Sequence, residues 1–260
     1  MTTSRPKEPI AGLGDDPPDP PGGRPAPRWG FGAFLLVEAV LLASAAFVSV
    51  LIAPPAGDPL PVRDVLIGTI APTVIAAATA VLITYLRGNG PFADLNLSWH
   101  WPDVKAGLKF GVLGLVFTTV GAFVWTQVVG ENNATSAISA LVENRPMSVS
   151  AAVIMFLYVW LLGPVCEELI YRGLLWKAVE RLQWGNERYG RLAAFLISTA
   201  VFAVSHLEPL RTTLLLVIAI PIGLARLSTG RLLSSVVAHQ MNNFLPALAI
   251  LLTALNVMKF

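Results

Sequence analysis

Long apolar runs alternate with short polar breaks along this chain, and most runs are long enough to cross a membrane. A spanning helix takes about 20 predominantly apolar residues. Seven runs reach or approach that length: Phe31 to Ala53, Asp64 to Leu86, Ala106 to Val129, Val149 to Lys177, Leu192 to Leu207, Thr212 to Leu227 and Leu232 to Leu255. Pro54 and Pro55 end the first. The fifth and sixth are short for a full crossing, which predicts surroundings lined by protein or water rather than by lipid alone. A break in the long fourth run would create an eighth. The pattern therefore predicts an all-α fold, a polytopic transmembrane bundle of about seven to eight spanning helices.

Residues 1–28 do not share the pattern. The stretch DDPPDPPGGRPAPR is rich in Pro and Gly and has too little apolar surface to offset its ordering entropy. It is read as a disordered Pro-rich tail, with a proline-rich partner motif as the alternative. A signal peptide is not expected, because about 30 mostly polar residues precede the first apolar run. Residues 29–260 are read as one transmembrane domain.

Composition agrees with the pattern. The chain is 55% hydrophobic and 13% charged, against about 25% charge in soluble domains. A net charge of +2 without any Lys/Arg block argues against a nucleic-acid partner. The single cysteine, Cys166, excludes an intramolecular disulfide and a Cys-rich metal site. As a nucleophile it would need an electropositive setting that the sequence does not supply, so it is read as a small buried residue. Lys and Arg fall on alternate loops: Arg28, then Arg87 and Lys105, then Lys177, Arg181, Arg188 and Arg191, then Arg226 and Arg231. The opposite loops carry Arg63, Arg145 and Arg211. That asymmetry predicts a cytoplasmic N-terminus.

Candidate chemistry lies in the polar residues inside these apolar runs. Such residues are costly in a membrane and mark functional sites by default. The fourth run holds Glu167, Glu168 and Arg172, one turn after Pro164. The fifth ends at His206. The seventh holds His239 and Asn243. Glu168 and Arg172 are four apart, so they share a helix face and can form an ion pair. Glu167 is rotated by about 100° and is left to face another helix. His239 and Asn243 also share a face. Counted at about 1.5 Å per residue from the basic residue at the cytoplasmic end of each run (Lys177, Arg231 and Arg191), Glu167 lies ~15 Å deep, His239 ~12 Å, Asn243 ~18 Å and His206 ~22 Å. These depths are close enough for one site. Glu38, in the first run, has no evident partner and is read as bundle-facing or near the interface. Asn242 is rotated away from His239 and is read as an interhelical hydrogen-bonding residue. His100, between Trp99 and Trp101, is read as interfacial.

This set supports activation of water. A glutamate in a low-dielectric pocket can act as general base, and a neighbouring histidine can protonate a leaving amine. A second histidine with an amide can stabilise an oxyanion. Glu167, His206 and His239 are also ligand types of a catalytic zinc site, so Zn2+ and a metal-free glutamate mechanism both stay open.

The same residues carry a family resemblance. EELIYRG resembles the EExxxR signature of the CAAX protease and bacteriocin-processing (CPBP, or Abi) family. FAVSH, residues 202–206, resembles its FxxxH motif, and HQMNN, residues 239–243, its HxxxN motif. The likeness spans roughly residues 95–250, with the motif core at 149–250. It implies an intramembrane endopeptidase of glutamate or metallo type. Glu167 and His206 would activate water, and His239 and Asn243 would position it or stabilise the oxyanion. Glu168, Arg172 and Phe202 would have supporting roles. The implied partners are membrane lipid and a membrane-embedded or lipid-modified peptide, in a bacterial cell membrane. Two rival readings are a proton-coupled transporter and a non-proteolytic scaffold or immunity protein. The absence of an internal repeat disfavours the first.

Overall fold

The structure is a computed structural model that describes residues 25–56, 58–130, 133, 135–142 and 147–257. Most of the expected Pro-rich tail lies outside these residues. The described residues form helices and no strand. In chain order they are α1 (Phe31–Leu51), α2 (Val62–Arg87), α3 (Pro91–Asp94), α4 (Trp101–Val129), α5 (Ala137–Val142), α6 (Val149–Glu180), α7 (Glu187–Ser205), α8 (Thr212–Thr229) and α9 (Leu232–Ala254).

All seven expected segments are helical. Six of them, α1, α2, α4, α6, α8 and α9, are long and apolar enough to cross a membrane. The protein is a multi-pass helical membrane protein. The remaining segment, α7, opens with Glu187, Arg188 and Arg191, and these charges dilute its apolar character. The conditional eighth segment does not arise, because α6 runs without a break from Val149 to Glu180.

Helix α6 is the hub, packed against α1, α2, α7 and α9. Helix α4 packs along α9 and α8, and its outer side shows Val112, Val116, Val120 and Phe123. That is the surface of a helix facing lipid.

Small residues set the α4–α9 spacing. A Cβ at Gly107 would sit 2.6 Å from Val237 Cβ, and one at Gly111 would sit 2.5 Å from Met241 Cβ. Such stripes let helix backbones approach closely where lipid gives no hydrophobic drive. At the opposite edge, α1 is held at its foot. Trp29 Nε1–H donates to Asp94 Oδ2 at 2.7 Å, and the Arg181 guanidinium stacks 3.8 Å from the Trp29 ring centroid. Partial burial lowers the proton affinity of Arg181, while Asp94 and Glu180 oppose that effect.

Within α6, the turns Tyr158–Leu162 and Leu169–Leu175 are π-helical, and Gly163–Glu168 between them is α-helical. Gly163 N–H donates to Tyr158 O, five residues back. Pro164, next in that register, has no N–H to give Val159 O. The carbonyl is instead served from α9, where Asn243 Nδ2 donates at 3.2 Å. Gln240 Nε2 donates to Leu161 O at 3.3 Å.

Overpacking the small-residue stripe separates α4 from α9. Gly111→Val is expected to cost about 1–3 kcal/mol and to lower the unfolding temperature of the detergent-purified protein by several degrees. Gly32→Ala, on α1, meets nothing within 4 Å and leaves it unchanged.

Candidate active site

Glu168 lies at the centre of the bundle with its side chain fully buried. Its Oε1 accepts from Arg172 Nη1 at 3.0 Å and from His239 Nδ1 at 2.9 Å. The Ser235 hydroxyl lies beside the same carboxylate. The expected Glu168–Arg172 pair is therefore present, and it has a third member. A carboxylate paired with a guanidinium accepts only from an N–H, so His239 carries hydrogen on Nδ1. The opposite ring nitrogen, Nε2, then faces Glu167, at 3.7 Å from Oε2. The two adjacent acids differ in access. The side chain of Glu167 is 26% exposed, whereas that of Glu168 is 0% exposed.

Phe202 organises the other side. Its ring centroid lies 4.3 Å from the Arg172 guanidinium carbon, 4.6 Å from the His206 ring and 5.7 Å from the His239 ring. A cation over an aromatic face compensates part of the loss of hydration. His206 follows the last residue of α7, and its Nδ1 lies 2.7 Å from Phe202 O. A carbonyl accepts only from N–H, so Nε2 of His206 carries the free lone pair.

The structure thus brings together Glu167, Glu168, Arg172, Phe202, His206 and His239 from α6, α7 and α9. Asn243 differs in its partners from the sequence reading. It faces α6, donating to Val159 O and accepting from Asn242 Nδ2 at 3.3 Å. Asn242 Oδ1 accepts from Thr118 of α4 at 2.7 Å, which is the interhelical bond expected of it. Cys166 is buried. His100 is more than an interfacial ring. It receives a hydrogen bond from Arg231 Nη2 at 2.9 Å, while Arg231 also binds both oxygens of Asp103, at 2.6 and 3.0 Å. Those bonds raise the proton affinity of the Arg231 guanidinium and tie the start of α9 to α4.

Among the described residues no three His, Cys, Asp or Glu side chains form a group that could hold a metal ion. Glu167 and His239 are neighbours, while His206 contacts the ring and the carbonyl of Phe202 and forms no such group with them. As arranged, these residues do not fit a zinc ion, and no step is derived through one.

Residues 149–245 match the family model described as type II CAAX prenyl endopeptidase Rce1-like. The segment is similar to that family over these residues. No curated protein and no solved structure matches the chain. The matched segment runs from the start of α6 into α9 and holds every site residue expected from the sequence. It is narrower than the stretch over which the resemblance was read. Together with the six apolar helices of the chain, three of them within the segment in whole or in part, the match indicates an intramembrane endopeptidase in general terms.

The sequence reading left one carboxylate without partners, and the structure supplies them. Glu38 of α1 accepts from Ser205 Oγ, the residue before His206, at 3.4 Å, with the Tyr171 hydroxyl beside it. Depth would have found it. Glu38 lies ten residues beyond Arg28, as Glu167 lies ten residues before Lys177, which puts both ~15 Å from a basic end.

The two acids of α6 separate by stability. Glu168→Gln leaves Arg172 buried without a counter-charge and is expected to cost about 3–5 kcal/mol. Glu167→Gln, partly open to solvent, is expected to cost less than about 1 kcal/mol. Chemical or thermal unfolding in detergent measures both. Equal losses would contradict the division of the pair.

Proposed function

We propose that this protein is a metal-free glutamate endopeptidase that cleaves hydrophobic or lipid-modified peptides at the membrane. The observation that carries the reading is the half-open Glu167 carboxylate facing Nε2 of a histidine whose other nitrogen is anchored on a buried acid. In this reading Glu167 removes a proton from a water molecule, and the water oxygen attacks the scissile carbonyl carbon. The carbonyl electrons move onto oxygen. That oxyanion receives hydrogen bonds from the second Nδ2 hydrogen of Asn243 and from Nε2 of His239, which takes up a proton from solvent before attack while Nδ1–H stays on Glu168, and keeps it through the cycle. When the C–N bond breaks, the leaving nitrogen takes a proton from Nε2 of His206. No bond forms between protein and substrate.

Glu168 and Arg172 act through His239. They hold its ring plane and its tautomer, as an orienting acid does for a catalytic imidazole. Phe202 contacts both imidazoles with one ring. In the same reading the N-terminus and the foot of α1 face the cytoplasm, residues 1–28 are a tail preceding a membrane domain at 29–260, and the membrane is that of a bacterial cell.

Purified protein in detergent or liposomes should cleave a membrane-inserted or prenylated reporter peptide. Glu167→Ala should reduce kcat at least about a thousandfold, the scale expected when an activating base is lost, with the unfolding temperature kept. Retained turnover in that variant would remove Glu167 from the mechanism. Solute transport in liposomes with no peptide cleaved would favour a carrier instead.

A further inference from the structure

Glu38 has no cation of its own. None of the ion pairs among the described residues includes it. Its Oε2 has one long hydrogen bond from Ser205, the Tyr171 hydroxyl lies beside the carboxylate, and Oε1 is buried. An ionised carboxylate in such a place lacks compensation. The position is nevertheless firmly built. The Trp29 clamp fixes the foot of α1, and Phe34, one turn before Glu38, packs edge-on against Tyr171 at 6.2 Å. Tyr171 in turn meets the Phe202 ring at 5.4 Å. The carboxylate is therefore held against the end of α7, where His206 sits.

The charges around His206 can be named element by element. Helix α1 gives Glu38. Helix α6 gives Glu167, the neighbour of His239, and Tyr171, with Arg172 on the Phe202 ring. The turn after α7 gives Glu208, which is paired with Arg211. Helix α9 gives His239, which contacts the same Phe202 ring. Arg172 is committed to Glu168. Glu38 and Glu167 are the two carboxylates in this set without a Lys or Arg partner, and Glu167 faces His239.

We propose that Glu38 is the counter-ion of His206: its carboxylate stabilises the imidazolium that exists between proton uptake at Nε2 and proton transfer to the leaving amine nitrogen. Glu38 is a positioning residue that acts through His206, and the role rests on the reading of His206 given above. The proton ledger is closed. Water gives one proton to Glu167, Nε2 of His206 gives one to the leaving nitrogen, and Nε2 is reprotonated from Glu167 through solvent. Residues 149–245 do not include Glu38, so the role belongs to a helix outside the matched segment.

The chain has three histidines, which makes their ring titrations separable by NMR in the full-length, 15N-histidine-labelled protein. His206→Asn assigns the signal. Glu38→Gln, which keeps shape and removes charge, should move the His206 titration to lower pH by about half a unit or more and leave His100 in place. Glu38→Asp should stay close to wild type. In the peptidase assay Glu38→Gln should lower kcat about tenfold with KM within about twofold, and the alkaline limb of the pH–rate profile should move to lower pH. An unchanged His206 titration in Glu38→Gln overturns the proposal, even if that variant is less stable. A wild-type chain that cleaves no peptide overturns the reading of the site instead, and the titration still decides whether Glu38 and His206 are coupled.

Discussion

Glu168 is sealed from solvent and remains an acceptor for two donors on one oxygen, Arg172 from its own helix and His239 from α9. Neither donor could be buried alone at acceptable cost. Together they link two spanning helices by a charged hydrogen bond where apolar packing gives little preference for one rotation over another. Everything that reaches the open acid Glu167 depends on that link. It fixes which edge of the His239 ring faces Glu167 and where the Phe202 ring can lie. His206, seated on the same ring, inherits its place.

A second dependence runs through the backbone of α6. Pro164 removes a donor just before the acidic pair, and the π-helical turn there offers carbonyls to the side. Gln240 and Asn243 answer them from α9. An amide that supports a helix with one hydrogen still has another to offer. This is how Asn243 can belong both to the scaffold and to the chemistry proposed for the site.

Much of this was legible in the sequence, for reasons that differ by residue. The helices followed from run length alone, because lipid demands it. The Glu168–Arg172 pair and the divergence of Glu167 followed from helical spacing, which is local geometry. Two things were not legible. His239 reaches across to Glu168, and Asn243 to Val159; both contacts depend on the rotation of α9 against α6, which no spacing within one helix encodes. Glu38 was passed over because its partners, Tyr171 and Ser205, look like ordinary bundle residues in the sequence. Helix α7 fell short of a spanning character because its first turns are charged, although its second half packs as expected.

The Trp29 clamp also bears on modularity. The core around Tyr171, Leu174 and Leu175 is completed by Trp29 just before α1, by Phe34 and Val37 from α1, and by Ala76, Ala80 and Ile83 from α2. Motif similarity begins only at residue 149. The unit that sequence comparison recognises is therefore smaller than the unit that folds. A graft of residues 149–245 into another protein would carry the motifs but leave one wall of the site missing, and transplanting this chemistry requires the first two helices as well.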